Sequence, residues 1–516
     1  MKKSLLTFFI IAIIFNQSYT QTNANEWTWI NGSSIGNQAG NYGTKGVPSE
    51  SNMPGSRRQA ATWVCNNKLY LMGGYGYDSN LSIGSLNDLW EYDSVTNNWT
   101  WLKGSDVSGQ NGIYGTQGIA SSINTPGARR VNAKWVYNGK LYLMGGAGSG
   151  GCYNDLWEYD PVTNNWTWLK GSNTTNQVGV YGTLGTVSTN NTPGARQDGF
   201  SWTYNNKFYL MGGFNFSFGS PSYSFNDLWE YDPVTNNWRW IKGSNGTTQN
   251  GIYGIKGVSA STNVPGSRSH SFVWVNENKA YIFGGSGSSE VGGGYLADFW
   301  EYNHQTNNWT WISGSKVANF PGNPGTKGVP SSSNFIGSRE GDCSWVFNNK
   351  LFLMGGYGNI STYNDRGERD DVWEYNLNTQ NWTWLKGTTT FGSSGVYGTK
   401  GVSSSLNNPS GRTYNTGWFD NDKYYMFSGE NSNNGSIFND LWLYTPTCTE
   451  MTTVSSGDWN DANTWSCKRI PTATDDVTIN GHTISIMGNC FAKKVIKESG
   501  AIVNVATGGN LKIGNP

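Results

Sequence analysis

The chain has 516 residues, and its 35 Lys and Arg balance its 35 Asp and Glu. A formal net charge of zero argues against nucleic acid or an anionic membrane as the main partner. The length allows a large core or two domains, while 69 glycines and a 15% aromatic content favour short strands joined by tight turns.

The first twenty residues, 1–20, have the pattern of a secretory signal peptide. Lys2 and Lys3 precede an apolar run from Leu5 to Phe15, which is followed by small and polar residues, so cleavage is expected before Gln21. The run is too short to span a bilayer, and no other stretch is apolar enough to do so. The sequence therefore predicts a secreted protein, extracellular or at the cell surface.

Six copies of one pattern follow, and they predict a β-propeller over residues 21–446. Each copy has a short apolar strand A ("ATWVC"), a strand B ending in paired glycines ("LYLMGG"), a strand C ("DLWEY") and a strand D ("WTWLK"). The first glycine of the pair recurs at Gly73, Gly145, Gly212, Gly284 and Gly355, with Ser428 in the sixth copy. Four antiparallel strands in each of six copies predict an all-β fold with six blades.

The repeats resemble the Kelch motif. The resemblance rests on the glycine pair after strand B, the aromatic residue in strand C and the "NNW" that opens strand D, and it covers roughly Glu26 to Pro446. It implies a propeller of the galactose-oxidase-like superfamily. It does not imply one function, because Kelch propellers include enzymes, protein-binding modules and glycan binders.

The sequence copies do not begin and end where the predicted blades do. The sixth copy ends in "TPTC" without a strand D, whereas "EWTWI" precedes the first strand A. All six blades have four strands only when "EWTWI" supplies strand D of the sixth blade. We therefore predict that Trp27–Ile30 pairs with the strand around Leu441–Tyr444, which would leave no open sheet edge.

Only the loops between strands B and C vary in length. The D–A connections keep one length and carry a recurring "YGT" pattern, which indicates ordered structure over the blade, with Pro324 in the tyrosine position of the fifth copy. Variable loops are typical of recognition surfaces. Their aromatic residues are the candidate ligand-binding residues, although they could instead cap the blades: Tyr75, Tyr77, Phe214, Phe216, Phe218, Tyr223, Tyr295, Tyr357 and Tyr363.

Each copy also supplies an arginine before strand A and an aspartate at the start of strand C. The arginines are Arg57, Arg129, Arg196, Arg268, Arg339 and Arg412, and the aspartates are Asp88, Asp155, Asp227, Asp298, Asp371 and Asp440. Six cations at a channel mouth could bind an anion. Because the two sets match in number and unpaired arginines would repel one another, we predict a structural ring of paired charges instead.

Catalysis has weak support in the sequence. A copper oxidase would need converging histidines, and His270, His304 and His482 are predicted to lie in strand A, in a C–D turn on the opposite face and beyond the propeller. We therefore predict no metal and no cofactor. The expected function is non-catalytic binding of a glycan or an extracellular protein by a monomer. A sugar-modifying enzyme resembling the sialate epimerases is the alternative.

Residues 447–516 lack the repeat. Short strands such as "DVTIN", "HTISI" and "NLKI" predict a small all-β module with one or two coils of a solenoid. Its resemblance to modules of secreted bacterial proteins favours a disulfide between Cys448 and Cys467 over one that uses Cys490. A bridge of this size is worth roughly 3 kcal/mol of stability in the chain-entropy model.

Overall fold

The computed structural model describes residues 25–514, apart from 131–132, 217–222, 342, 360–365, 447–449, 468–469 and 474. The predicted signal peptide, residues 1–20, lies outside the described residues. The described chain is built from β-strands, with one 3-10 turn at Ala462–Thr464. None of the described helical segments is long and apolar enough to cross a membrane.

Six antiparallel sheets, numbered I to VI in chain order, are built on the four strands that each repeat predicts. Strands A to D are Ala61–Cys65, Lys68–Tyr77, Ile83–Asp93 and Asn98–Lys103 in sheet I; Ala133–Tyr137, Lys140–Met144, Leu156–Asp160 and Asn165–Lys170 in sheet II; and Phe200–Tyr204, Lys207–Met211, Leu228–Asp232 and Asn237–Lys242 in sheet III. They are Phe272–Asn276, Lys279–Phe283, Phe299–Asn303 and Asn308–Ser313 in sheet IV; Ser344–Phe347, Lys350–Met354, Val372–Asn376 and Asn381–Lys386 in sheet V; and Thr416–Asp420, Lys423–Phe427, Leu441–Thr445 and Glu26–Asn31 in sheet VI.

Short ribbons extend the sheets at the B–C loops. They are Arg57–Arg58, Ala147–Gly148, Gly151–Cys152, Phe214–Asn215, Tyr223–Ser224, Arg268–Ser269, Ser286–Ser288, Gly293–Tyr295, Arg339–Glu340, Tyr357–Asn359, Arg366–Glu368, Glu430–Asn431 and Ser436–Ile437. A further short strand, Val187–Ser188, pairs with strand D of sheet III. The ribbons pair the start of each B–C loop with the residues after the repeated arginine, so these two segments share one face of the molecule.

Asparagines make the tight turns on the opposite face. Asn66 and Asn67, between strands A and B of sheet I, adopt φ angles of 51° and 58°. Two successive residues with positive φ form the hairpin turn that matches the twist of the flanking strands, and asparagine tolerates this conformation. Between strands C and D, the Asp93 carboxylate accepts hydrogen bonds from the backbone N–H groups of Val95 and Thr96.

Strand A is the innermost strand of every sheet. It contacts strand A of the preceding and following sheets, and strand A of sheet VI contacts those of sheets V and I. The glycine pair makes this approach possible: a Cβ on Gly73 would lie 2.8 Å from the carbonyl oxygen of Arg129, in the next repeat. This arrangement of four-stranded sheets is consistent with the propeller that the sequence predicts.

The strand from the N-terminal end of the described chain completes sheet VI. Glu26–Asn31 pairs antiparallel with Leu441–Thr445, and Trp27 lies opposite Tyr444. The Asn407 side-chain amide also donates a hydrogen bond to the Trp27 carbonyl oxygen at 3.0 Å. The pairing predicted between Trp27–Ile30 and Leu441–Tyr444 is confirmed.

The C-terminal segment forms parallel ladders instead of antiparallel sheets. Its strands are Glu450–Thr452, Gly457–Asp458, Asp476–Ile479, Thr483–Ile486, Asn489–Ala492, Lys494–Lys497, Ile502–Val505 and Asn510–Ile513. Two ladders join three strands each and the third joins two, so the chain passes each ladder two or three times. We expected one or two coils; the ladders show two complete coils and a partial one, to which the early strands Glu450–Thr452 and Gly457–Asp458 contribute.

The free cysteines of the described chain test part of the disulfide prediction. Cys65, Cys152 and Cys490 are free and buried, which argues against a bridge between Cys467 and Cys490. Cys467 is not among the free cysteines, and Cys448 lies outside the described residues. The Cys448–Cys467 bridge stays a prediction.

Loss of the N-terminal strand should destabilise sheet VI and its contacts with sheets V and I. Trp27 is fully buried and packs against Trp442 and Tyr444, with ring centroids 6.3 and 4.9 Å away. We expect Trp27→Ala to lower the free energy of unfolding by about 3–5 kcal/mol, and deletion of residues 21–30 to lower the melting temperature sharply. Urea unfolding measures the first effect, with Ile35→Ala, at a 71% exposed position, as the control. Equal, small losses in both variants would contradict the closing role of this strand.

Candidate functional site

A buried four-residue cluster in sheet I explains the repeated arginine. The Arg57 guanidinium donates two hydrogen bonds of 2.7 Å to the Asp88 carboxylate and one of 2.9 Å to the Gly73 carbonyl oxygen. The Tyr42 hydroxyl and the Trp90 indole N–H each donate to the same Asp88 oxygen at 2.7 Å. A bidentate pair whose remaining acceptor sites are filled is the arrangement that makes a buried ion pair tolerable.

The same ion pair recurs in all six sheets. In sheets II to VI the pairs are Arg129–Asp155, Arg196–Asp227, Arg268–Asp298, Arg339–Asp371 and Arg412–Asp440. Burial alone would lower the pKa of Arg57, but Asp88 outweighs it and raises that pKa. Because every one of these guanidinium groups is buried against its own aspartate, the geometry supports the structural ring and not an anion site.

Sheet V departs from this pattern. The other five sheets place a tyrosine hydroxyl 2.6–2.7 Å from the aspartate, whereas sheet V has Pro324 at that position. A cavity of about 20 Å³, lined by Pro324, Asp371, Trp373 and Trp384, lies there and has room for about one water molecule. Sheet V therefore has the least complete cluster of the six.

Removal of one tyrosine hydroxyl tests the cluster. We expect Tyr42→Phe to lower the free energy of unfolding by about 1.5–3 kcal/mol, because Asp88 would lose a hydrogen bond in a buried site. Tyr77→Phe is the matched control, since the described structure shows no hydrogen bond to the Tyr77 hydroxyl. Unfolding in urea at pH 7 measures both, and a Tyr42→Phe variant as stable as the control would refute the role of the hydroxyl.

The residues directly after each repeated arginine differ from copy to copy. The first is Arg58, Arg130, Gln197, Ser269, Glu340 or Thr413; the second is Gln59, Val131, Asp198, His270, Gly341 or Tyr414; and the first B–C loop residue opposite them is Tyr75, Ala147, Phe214, Ser286, Tyr357 or Glu430. We call this set the mouth. Of the set, Val131 lies outside the described residues. The mouth surrounds the inner strands on the face that bears the B–C loops.

Residues from five sheets meet in one buried network at the mouth. The Gln59 amide nitrogen lies 2.8 Å from Asp198 Oδ1 and 3.0 Å from His270 Nε2. Asp198 Oδ1 lies 3.2 Å from His270 Nε2. The Tyr414 hydroxyl donates to Glu340 Oε1 at 2.6 Å, and the Tyr414 ring centroid lies 4.8 Å from that of His270.

Unusual backbone angles bring these side chains together. Gln59, Asp198, His270 and Tyr414 all have positive φ, between 51° and 56°. Residues other than glycine rarely adopt this conformation, and they keep it where the surrounding structure imposes it, often at functional sites. Burial raises the pKa of Glu340, although His270 and the hydrogen bond from Tyr414 oppose that shift.

A second group of mouth residues lies over sheets I, II and VI. Arg58 forms an ion pair with Glu430, and its guanidinium carbon lies 5.3 Å from the Tyr75 ring centroid. Arg130 approaches the same ring, at 5.4 Å. Burial raises the pKa of Glu430, and Arg58 opposes that shift. Cations within this distance of an aromatic face are attracted to it.

The predicted loop aromatics fall into three groups. Tyr75 lies between Arg58 and Arg130, Tyr295 and Tyr357 pack together at 5.5 Å, and Phe214 lies 6.5 Å from His270. Tyr77, Phe216 and Tyr223 lie farther along their loops, with Phe216 exposed. Phe218 and Tyr363 lie outside the described residues. Four of the nine predicted aromatics are therefore mouth residues or contact them closely.

The three histidines occupy separate places. His270 belongs to the mouth network, His482 Nδ1 lies 2.8 Å from the Thr453 hydroxyl in the C-terminal segment, and His304 packs on Tyr204 at 4.0 Å. The Trp202 indole N–H donates to His304 Nε2, and burial lowers the pKa of His304 to about 4. The described residues contain no cluster of three or more His, Cys, Asp or Glu suited to a metal ion.

Comparison with protein-family models finds known motifs in four of the six copies. One model of the Kelch motif matches residues 55–106, 132–173 and 343–389, and a second matches residues 203–239. The chain carries Kelch motifs. The Kelch matches fall on sheets I, II, III and V and are consistent with a Kelch-repeat protein. A search of curated proteins finds no match to this chain.

Sequence reasoning missed the mouth residues after each arginine. We looked for variation in loop length, and these Kelch positions keep a constant spacing from the arginine. The available signal was variation in residue type: the six copies read "RRQ", "RRV", "RQD", "RSH", "REG" and "RTY" within segments that otherwise repeat. Positions whose residue type varies within otherwise constant segments do not share the structural role of the residues around them.

Proposed function

We propose that this chain is an exported binding or scaffold protein with a closed six-bladed propeller that recognises a glycan or an extracellular protein at the mouth. Kelch repeats are generally associated with protein binding or scaffolding. The observation that carries the proposal is the convergence of divergent polar and aromatic side chains on one face of a repeated frame. Rigid aromatic groups next to polar groups suit low-charge ligands.

Backbone hydrogen bonds between neighbouring sheets support closure. The Gln59 N–H donates to the Tyr414 carbonyl oxygen at 3.0 Å, which joins sheet I to sheet VI. The equivalent bonds join His270 to Asp198 at 3.2 Å and Gly341 to His270 at 2.9 Å. Together with the shared sheet VI, these bonds support a ring in which the first and last blades are adjacent.

Export is part of the proposal and rests on the signal-peptide pattern of residues 1–20. The proposed bridge between Cys448 and Cys467 fits this environment, because disulfides persist outside the cytosol. We place the boundary between the propeller and the C-terminal module at residues 446 and 447, where antiparallel pairing gives way to parallel pairing.

A sugar-modifying enzyme is the second candidate, because titratable side chains of four sheets, III to VI, converge in the mouth network. We rank it below binding for two reasons. Gln59, Asp198, His270 and Glu340 are each less than a tenth exposed, and they hydrogen-bond within their own network. A substrate would have to displace those bonds before chemistry could begin, whereas binding needs only the half-buried aromatic groups above them.

Ligand screening with mouth variants tests the proposal. The mature chain, residues 21–516, is applied to an array of immobilised glycans and to a displayed random-peptide library. We expect Tyr75→Ala and Tyr357→Ala to weaken binding of the selected ligands about tenfold or more, since buried aromatic anchors dominate such interfaces. Phe491→Ala, a 39% exposed aromatic of the C-terminal segment, is the control. Ligands that bind both mouth variants as tightly as the wild type would contradict the proposed site.

A further inference from the structure

Arg130 is a half-buried charge without an ion-pair partner among the described residues. Its backbone N–H donates to the Ala147 carbonyl oxygen at 2.9 Å, which fixes its place beside the start of the B–C loop of sheet II. Its Nε atom is buried and has no hydrogen-bond partner among the residues that the structure describes. A buried donor without a partner is costly to a folded protein, so such groups need an explanation.

Arg58 provides the internal comparison. Both arginines follow a repeated arginine directly, and both approach Tyr75, at 5.3 and 5.4 Å. Arg58 forms an ion pair with Glu430, while the described part of the chain offers Arg130 no carboxylate at that distance. Glu430 also acts on Arg130 at longer range, so one carboxylate faces the two guanidinium groups beside Tyr75 and forms its ion pair with Arg58.

The acidic groups of the mouth, and Glu368 in the nearby ribbon Arg366–Glu368, are already engaged. Glu430 pairs with Arg58, Asp198 is bound by Gln59 and His270, and Glu340 accepts a hydrogen bond from Tyr414. Glu368 accepts hydrogen bonds from Ser432 and Asn433. Within the described part of the chain, the Arg130 guanidinium therefore has no ion pair of its own and can form one with a carboxylate from a partner.

We propose that Arg130 receives the carboxylate of an aspartate or glutamate side chain of a protein partner, with Tyr75 as the aromatic platform beside it. This inference rests on the proposed binding function of the mouth and names the chemistry of its partner. A guanidinium presents a planar fork that matches a carboxylate with two parallel hydrogen bonds. Tyrosine and arginine are also the residues that most often dominate protein–protein binding energy.

A displayed random-peptide library tests the carboxylate. The library is selected in parallel against the mature wild-type chain, Arg130→Gln and the control Arg239→Gln, which removes a charge from the outer strand of sheet III. We expect one peptide position to become enriched in aspartate or glutamate with the wild type and the control, and not with Arg130→Gln. Circular dichroism and urea unfolding of each variant show whether it is folded.

A double-mutant cycle with one selected peptide measures the contact itself. We expect replacement of the peptide acid by its amide to weaken binding to the wild type about tenfold or more, and to change binding to folded Arg130→Gln much less. Equal losses with both proteins would overturn the inference, as would enriched peptides that lack an acid.

Two further outcomes separate the inference from the function on which it rests. Selection of a carboxylated glycan whose binding requires Arg130, with no peptide selected, would overturn the protein partner and keep the mouth as the binding site. Selected ligands whose binding survives both Tyr75→Ala and Arg130→Gln would overturn the mouth as the site and the inference with it.

Discussion

The structure depends on one buried ion pair, made six times. Each repeated arginine is held by an aspartate from strand C and by a carbonyl oxygen of the glycine pair or, in sheet VI, of Ser428. Such a pair ties the segment before strand A to the ends of strands B and C, which are far apart in sequence. Because a charge left alone in this interior would be very costly, the geometry of all three segments is coupled in every blade.

The residues directly after the repeated arginine take no part in this coupling. The arginine fixes the backbone, so the following two side chains can differ between blades without a change in the frame. The positive φ angles of Gln59, Asp198, His270 and Tyr414 turn those side chains toward a common centre, where they contact one another across blades. A rigid frame with divergent residues at one face is how repeat proteins present a binding surface.

The sequence predicts the frame well, and the structure shows why. Strand order, the pairing of the N-terminal strand and the arginine–aspartate register all follow from spacings that recur six times. The mouth network does not follow from any spacing, because Gln59 and His270 are 211 positions apart and come together only through the packing of sheets against one another. Tyr42 belongs to the repeated "YGT" pattern, so the sequence shows that it recurs. Its hydrogen bond to Asp88 depends on how the D–A segment folds over the sheet.

The central claim is that the buried arginine–aspartate pair stabilises the repeated structure, whereas the residue directly after the arginine does not. Urea unfolding of two variants within blade II tests this most directly. Asp155→Asn should lower the free energy of unfolding by about 3–5 kcal/mol, because it leaves Arg129 buried without its counter-ion. Arg130→Ser, which introduces the residue that blade IV carries at this position, should cost less than about 1 kcal/mol. Losses of similar size in the two variants would contradict the division between frame and mouth.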